Sequence, residues 1–217
     1  MIFMKIAVFD FDGTIIREQS HELFFKEIIN SKGIIISSLL KFYYKFIINK
    51  KIASLKDKQR KEFFLSLLKN KDLNYIKSFS RNFYQNKIKP LYIKRINSDI
   101  VKYKTLGYKL VLVSGGFDIY LNELLNDLKF DIVICSELQF KNGKFTAKII
   151  NRECLGEEKV RRLKKKINIK KIDFNNSVFY SDHYSDLPMF NLFSNNFLVC
   201  TGQDISWMKK DFKVIYV

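Results

Sequence analysis

Three apolar runs, each ending abruptly in a short polar cluster, restrict this chain more than any other feature. Lys5-Ile6-Ala7-Val8-Phe9 runs into Asp10-Phe11-Asp12-Gly13-Thr14, Lys109-Leu110-Val111-Leu112-Val113 into Ser114-Gly115-Gly116, and Ser177-Val178-Phe179-Tyr180-Ser181 into Asp182-His183-Tyr184-Ser185-Asp186. A continuous rather than alternating apolar run suits a strand covered on both faces, the setting of a parallel sheet. The C-terminal ends of such strands open onto the crevice where α/β sheets bind ligands. Helical periodicity separates the runs, and further strands over 131–135, 197–200 and 213–216 extend the alternation. The expected fold is therefore α/β, a doubly wound, mainly parallel, Rossmann-like sheet.

The stretch between Asp12 and Ser114 is several times longer than the roughly 10 to 15 residues that a β-α-β crossover needs. Its apolar spacing predicts helices over 21–30, 35–49, 55–68 and 73–84, broad enough in their apolar faces to form a small bundle. Pro90 suits the first turn of a further helix over 91–106, which Gly107 ends. The chain is thus divided into a sheet domain, 1–16 with 89–217, and an inserted helical cap, 17–88. Beyond Gly116, a helix with Leu121, Leu124, Leu125 and Leu128 on one face, a hairpin around Gly143, a helix from Gly156 and a short helix over 187–193 are expected.

Of the 217 residues 47% are hydrophobic, enough for a true core. The formal charge of +17 is spread over every segment rather than gathered in a stripe, which argues against a nucleic-acid partner. Cys135, Cys154 and Cys200 show no paired spacing and only His21 and His183 accompany them, so no zinc site is expected. The cysteines suit a reducing cytoplasm, and Met1 to Lys5 lack the pattern of a secretory leader. No run reaches the ~18 to 20 apolar residues of a membrane span. The lysine-flanked apolar segment 34–51 is expected to pack in the cap, with peripheral contact to an anionic membrane as the rival.

Asp10 and Asp12, two apart at a strand end and followed by Gly13, can turn their carboxylates or carbonyls onto a hard cation, although a strand followed by an Asx-rich turn has the same signature. Ser114-Gly115-Gly116 between a strand and a helix offers amides and a hydroxyl to an anion, or is simply a turn. Lys159 falls in the first turn of its helix, where the dipole favours acids, so its position asks for a partner. Asp182 and Asp186 are again carboxylates delivered by a strand end.

Together these pieces resemble the haloacid dehalogenase superfamily of phosphatases, in its phosphoserine-phosphatase-like branch with a helical cap (subfamily IB, cap type C1). Asp-Phe-Asp-Gly-Thr, Val-Ser-Gly-Gly-Phe, Gly-Glu-Glu-Lys-Val and Tyr-Ser-Asp-His-Tyr-Ser-Asp-Leu-Pro-Met match its four motifs in order. The resemblance implies a phosphomonoester hydrolase in which Asp10 is the nucleophile and Asp12 the general acid and base. It implies magnesium on Asp10, the Asp12 main-chain carbonyl and Asp182, with Ser114, Gly115 and Lys159 binding phosphate. Asp186 orients Lys159 or a metal-bound water, or else caps the helix at Leu187. A small-molecule phosphomonoester is the implied partner.

Two positions depart from the branch. Gln19 stands where an acidic residue is usual, and His183 follows the metal aspartate where a small residue is usual. Both are assigned to the substrate end. The neutral amide of Gln19 predicts a leaving group without an ammonium, and free phosphoserine as a poor substrate, because a buried ammonium needs an opposing carboxylate. Three rivals remain at this level: transfer of the phosphoryl group to an alcohol, a lipid-phosphate phosphatase of the phosphatidylglycerophosphate type, and a basic nucleic-acid-binding module.

Overall fold

The computed structural model describes residues 3–34, 37–42, 57–208 and 211–217. Among the described residues there are eight strands: β1 (Ile6–Phe9), β2 (Lys109–Phe117), β3 (Ile132–Ser136), β4 (Leu138–Lys141), β5 (Lys144–Ile149), β6 (Val178–Ser181), β7 (Asn195–Cys200) and β8 (Lys213–Tyr216). Six of them form one sheet in the order β3-β2-β1-β6-β7-β8, every pairing parallel. The expected doubly wound sheet is therefore what the chain forms, and β1 lies inside it between β2 and β6.

The four residues of β1 are fully buried, and they alternate between two cores. Ile6 and Val8 pack with Val111, Val113, Leu163 and Phe179 on one face, while Ala7 and Phe9 pack with Leu112, Phe130 and Tyr180 on the other. That double burial explains the unbroken apolar run in the sequence. It also fixes the register of the strand whose end carries Asp10, since a slip by one residue would exchange the two faces.

The inserted segment contributes α1 (Ser20–Asn30), α2 (Asp57–Ser66) and α3 (Leu73–Phe83). Phe24 of α1 meets Phe79 and Phe83 of α3 at 5.8 and 5.0 Å between ring centroids, and Phe25 stacks on Phe64 of α2 at 5.1 Å. These rings belong to the same apolar cluster as Phe9, so the inserted segment and the sheet share one core. The loop between α2 and α3 also bonds the hairpin: Asn70 N–H to Phe145 O, Phe145 N–H to Lys71 O and Leu73 N–H to Gly143 O, each at 2.9 Å. Asn142 and Gly143 take the positive φ values, 49° and 71°, that a tight hairpin turn requires. Most of the helix expected over 35–49, and with it most of the segment 34–51, lies outside the described residues.

After the inserted segment the described residues form the helices α4 (Lys94–Thr105), α5 (Asp118–Leu121), α6 (Leu124–Asp127), α7 (Glu157–Lys166) and α8 (Leu187–Phe190). Three expectations need correction. The helix expected from residue 91 starts at Lys94, because Ile93 N–H bonds Ile15 O at 2.9 Å and Tyr92 bridges Ile16, which holds 92–93 extended against the entry to the cap. Before it, α3 gives way to a π turn, Tyr84–Ile88, and a 3-10 turn, Lys89–Leu91, containing Pro90. The helix expected across Leu121 to Leu128 is two short pieces, and Leu125 is 39% exposed rather than on an apolar face.

Candidate active site

Asp10 follows β1 directly, and its N–H bonds Tyr180 O of the neighbouring β6 at 2.9 Å. The two strand ends are thereby aligned, which brings Asp10 and Asp182 to one cavity although most of the chain separates them. The cavity has a volume of about 480 Å³, and its lining includes Asp10, Asp12, Gln19, Gly115, Lys159, Asp182, His183 and Asp186. Eight of the nine residues singled out in the sequence thus meet. The ninth, Ser114, is fully buried behind the wall, where its Oγ accepts from Gly116 N–H at 3.0 Å. The glycines here continue β2 to Phe117, with an irregularity after Val113, instead of turning into a helix N-terminus. Gly115 is close-packed: a Cβ there would stand 2.7 Å from Leu155 Cδ2.

Lys159 finds the partners that its unfavourable helix position called for. Its side chain is 3% exposed, and Nζ donates to Asp10 Oδ1 at 2.8 Å and Asp186 Oδ2 at 2.7 Å. Asp186 Oδ2 also accepts from Ser181 Oγ at 2.6 Å. Asp186 therefore orients Lys159; its side chain makes no cap bond at Leu187. Burial opposes charge on Lys159, but the two carboxylates outweigh it and hold the ammonium far above its usual range.

Asp12 accepts from Ser20 N–H, the first residue of α1, at 2.7 Å. Burial nonetheless raises its pKa above the usual carboxylate value. A carboxyl that keeps its proton more readily is suited to act as a general acid. Asp10 is raised too, by burial and by the charges of Asp186 and Asp182, with Lys159 opposing. Asp182 rises to about 6, chiefly through burial and then the charge of Asp186.

Four carboxylates thus face one ammonium at the cavity floor, and Asp186 Oδ1 is buried without a hydrogen-bond partner. Such a donor set is short of positive charge and offers hard oxygens, so it fits a small divalent cation. Among the described residues no three His, Cys, Asp or Glu side chains are gathered for a metal. A set of two carboxylates, Asp10 and Asp182, completed by the Asp12 carbonyl does not require three.

Gly13 positions Asp182. Its φ is +74°, and a Cβ there would lie 2.1 Å from Asp182 Oδ2. Thr14 Oγ1 donates to the other oxygen at 3.4 Å. Gly13→Ala should therefore displace the Asp182 carboxylate and lower kcat by about 100-fold or more. A variant with near-normal kcat would show that Asp182 need not stand where it does.

His183 is held by Ser185, whose N–H donates to Nδ1 at 3.2 Å while its Oγ lies 2.9 Å from the same nitrogen. With Nδ1 accepting, the neutral ring carries its proton on Nε2. The sequence reading missed His21, Glu22, Lys61, Leu155 and Ser185, which also line the cavity. Burial and the charge of Lys61 push the His21 pKa down to about 3, so that imidazole stays neutral. Glu18, adjacent to Gln19, is exposed and absent from the lining, whereas Glu22, three residues further along α1, is part of it. The premise that no carboxylate reaches the substrate end is therefore corrected.

Comparison with known proteins decides the family. The family model described as haloacid dehalogenase-like hydrolase matches residues 7–191. The chain belongs to the haloacid dehalogenase-like hydrolases. It is an enzyme of the phosphoserine-phosphatase-like kind within that family. A phosphoserine phosphatase of Lactococcus lactis is 35% identical over 85 residues, 39% of this chain and 39% of that protein's length. One from Methanocaldococcus jannaschii is 26% identical over 186 residues, 86% of this chain and 81% of its own. Among solved structures, a Bordetella pertussis protein of unknown function shares the fold with a TM-score of 0.84 at 16% identity, 98% of each chain being covered. A substrate-bound phosphoserine phosphatase shares it with a TM-score of 0.63 at 23% identity, covering 98% of this chain and 92% of the other.

Proposed function

We propose that this hydrolase removes phosphate from small phosphomonoesters through an aspartyl-phosphate on Asp10. The observation that carries the reading is the pairing of Asp10 with a buried Lys159 in a cavity that also holds Asp12 and Asp182. An oxygen of Asp10 attacks phosphorus as the bond to the leaving oxygen breaks, and Asp12 gives that oxygen its proton. In the second step Asp12 takes a proton from water as the water attacks phosphorus, and the bond to Asp10 breaks. Lys159 and the Gly115 amide face the phosphoryl oxygens as charge moves onto them. Asp10, Asp182 and the Asp12 carbonyl would hold magnesium. When bound it supplies the positive charge that lets a carboxylate approach a phosphate.

The inserted helices support a small substrate, since they pack into the same core as the sheet and contribute Gln19, His21, Glu22 and Lys61 to the wall of a cavity of about 480 Å³. Among the described residues no helix is long and apolar enough to cross a membrane. The test is phosphate release from a panel of amino-acid, sugar, nucleotide and lipid phosphomonoesters, with and without magnesium. Turnover that needs the metal is expected, and Asp182→Asn should raise the magnesium concentration for half-maximal rate. No release from any monoester would overturn the reading. The acid limb should follow from the raised carboxylates. Asp182, with a pKa of about 6, is protonated below that value, so the metal requirement should steepen as pH falls through 6. The limb is not due to His21, which is already neutral there.

A further inference from the structure

The inserted segment supplies one part of the cavity lining, Gln19, His21, Glu22 and Lys61, and His183 lines the same cavity. We propose that this part receives a leaving group bearing one ammonium and no carboxylate, with Glu22 meeting the ammonium, so that the substrates are phosphate monoesters of simple amino alcohols. The inference rests on the phosphatase reading above and adds the identity of the leaving group.

Lys61 is the cation in this part of the lining, but its Nζ lies 2.5 Å from Glu153 Oε1, with the two side chains only 12% and 10% exposed. Breaking so buried a pair strands a charge, so an anionic group on the ligand would have to displace Glu153 first. Lys61 is thus already answered. Gln19 has no charge, and His21, buried and beside Lys61, stays neutral. Among the described residues no hydrogen bond or ion pair reaches the Glu22 carboxylate. Glu22 lies in the first turn of α1, the helix whose first amide binds Asp12, and it lines the cavity together with Gln19, the residue that precedes the helix. One unanswered carboxylate leaves this part of the lining negative, and it complements a ligand cation. Phosphoserine then remains a poor substrate, but its carboxylate is the cause and not its ammonium.

The test uses the full chain with magnesium and compares kcat/KM for phosphoethanolamine, n-propyl phosphate, in which a methyl replaces the ammonium, and phosphoserine. Phosphoethanolamine should exceed n-propyl phosphate by about 10-fold or more, the difference expected of one charge-assisted contact, and should also exceed phosphoserine. Glu22→Gln should reduce the first ratio to near one, whereas Glu22→Asp should keep part of it. Glu153→Gln, by releasing Lys61, should raise phosphoserine relative to phosphoethanolamine several-fold. A wild-type ratio near one, a ratio unmoved in Glu22→Gln, or phosphoserine leading in the wild type would overturn the inference. If n-propyl phosphate and phosphoethanolamine are turned over equally, the leaving-group assignment alone fails. If no monoester is turned over, the phosphatase reading fails with it.

Discussion

Asp10→Asn should lower kcat by at least about four orders of magnitude, roughly 5.4 kcal/mol of barrier, while leaving the fold intact. An amide cannot take the phosphoryl group, yet Asn fills the same volume and its Oδ1 can still accept from Lys159, as Asp10 does at 2.8 Å. The structure adds a second expectation. Asp10 is fully packed among Asp182 and Asp186, whose charges, with burial, raise its pKa. Removing its charge relieves that repulsion, so the metal-free variant should melt no lower than the wild type. The two should differ most once magnesium is added, because the variant loses a ligand. A large fall in Tm without metal would mean that Asp10 is chiefly structural.

Lys159→Met should cost more than about 10-fold in kcat/KM, about 1.4 kcal/mol or more, and should also destabilise the fold. The lysine lies between two buried carboxylates, and removing one partner of such a group typically costs about 3 to 5 kcal/mol. The raised pKa of Lys159 means that its stabilisation is complete below the ordinary lysine value and is lost only at pH above it. The raised carboxylates move stability in the same direction with pH, but in a lower window. Asp182 is raised to about 6, so the fold is helped by its proton at low pH and loses that help as pH rises through 6. The stability deficit of Lys159→Met should therefore be largest near pH 8 and shrink near pH 5, measured by denaturant unfolding without metal. Arg161→Ala is the control. Arg161 is 59% exposed and bonds Glu158, so a comparable loss there would point to a diffuse field and not a placed cation.

The sheet was legible because β1, β2 and β6 are buried on both faces, and only residues so placed need to be apolar without alternation. The cavity floor was legible because it is made of strand ends, where a carboxylate after Phe9 or Ser181 stands out. Lys159 was visible through a local conflict, a cation at the positive end of a helix, and the two buried carboxylates resolve it. The substrate end gave no such contrast. Glu22 and Lys61 lie on cap helices as ordinary charged residues, Lys61 one among 39 Lys and Arg, and nothing local marks which charges turn inward. The nearest signal was at α1: the helix whose first amide binds Asp12 must send its first turn toward the site, which selects His21 and Glu22. The break at 84–93 was equally hidden, because it comes from Tyr92 and Ile93 pairing with Ile15 and Ile16, contacts distant in sequence.

The claim on which the rest depends is the covalent bond between Asp10 and phosphorus. Its most direct test is to quench the enzyme with acid during turnover, reduce the acyl phosphate with borohydride, and read the peptide that holds residue 10 by mass spectrometry. Reduction of an aspartyl-phosphate gives homoserine, and the account predicts homoserine at position 10 only when substrate is present, with more of it in Asp12→Asn, where the second step is slowed. Steady turnover with Asp10 unmodified in both proteins would contradict it.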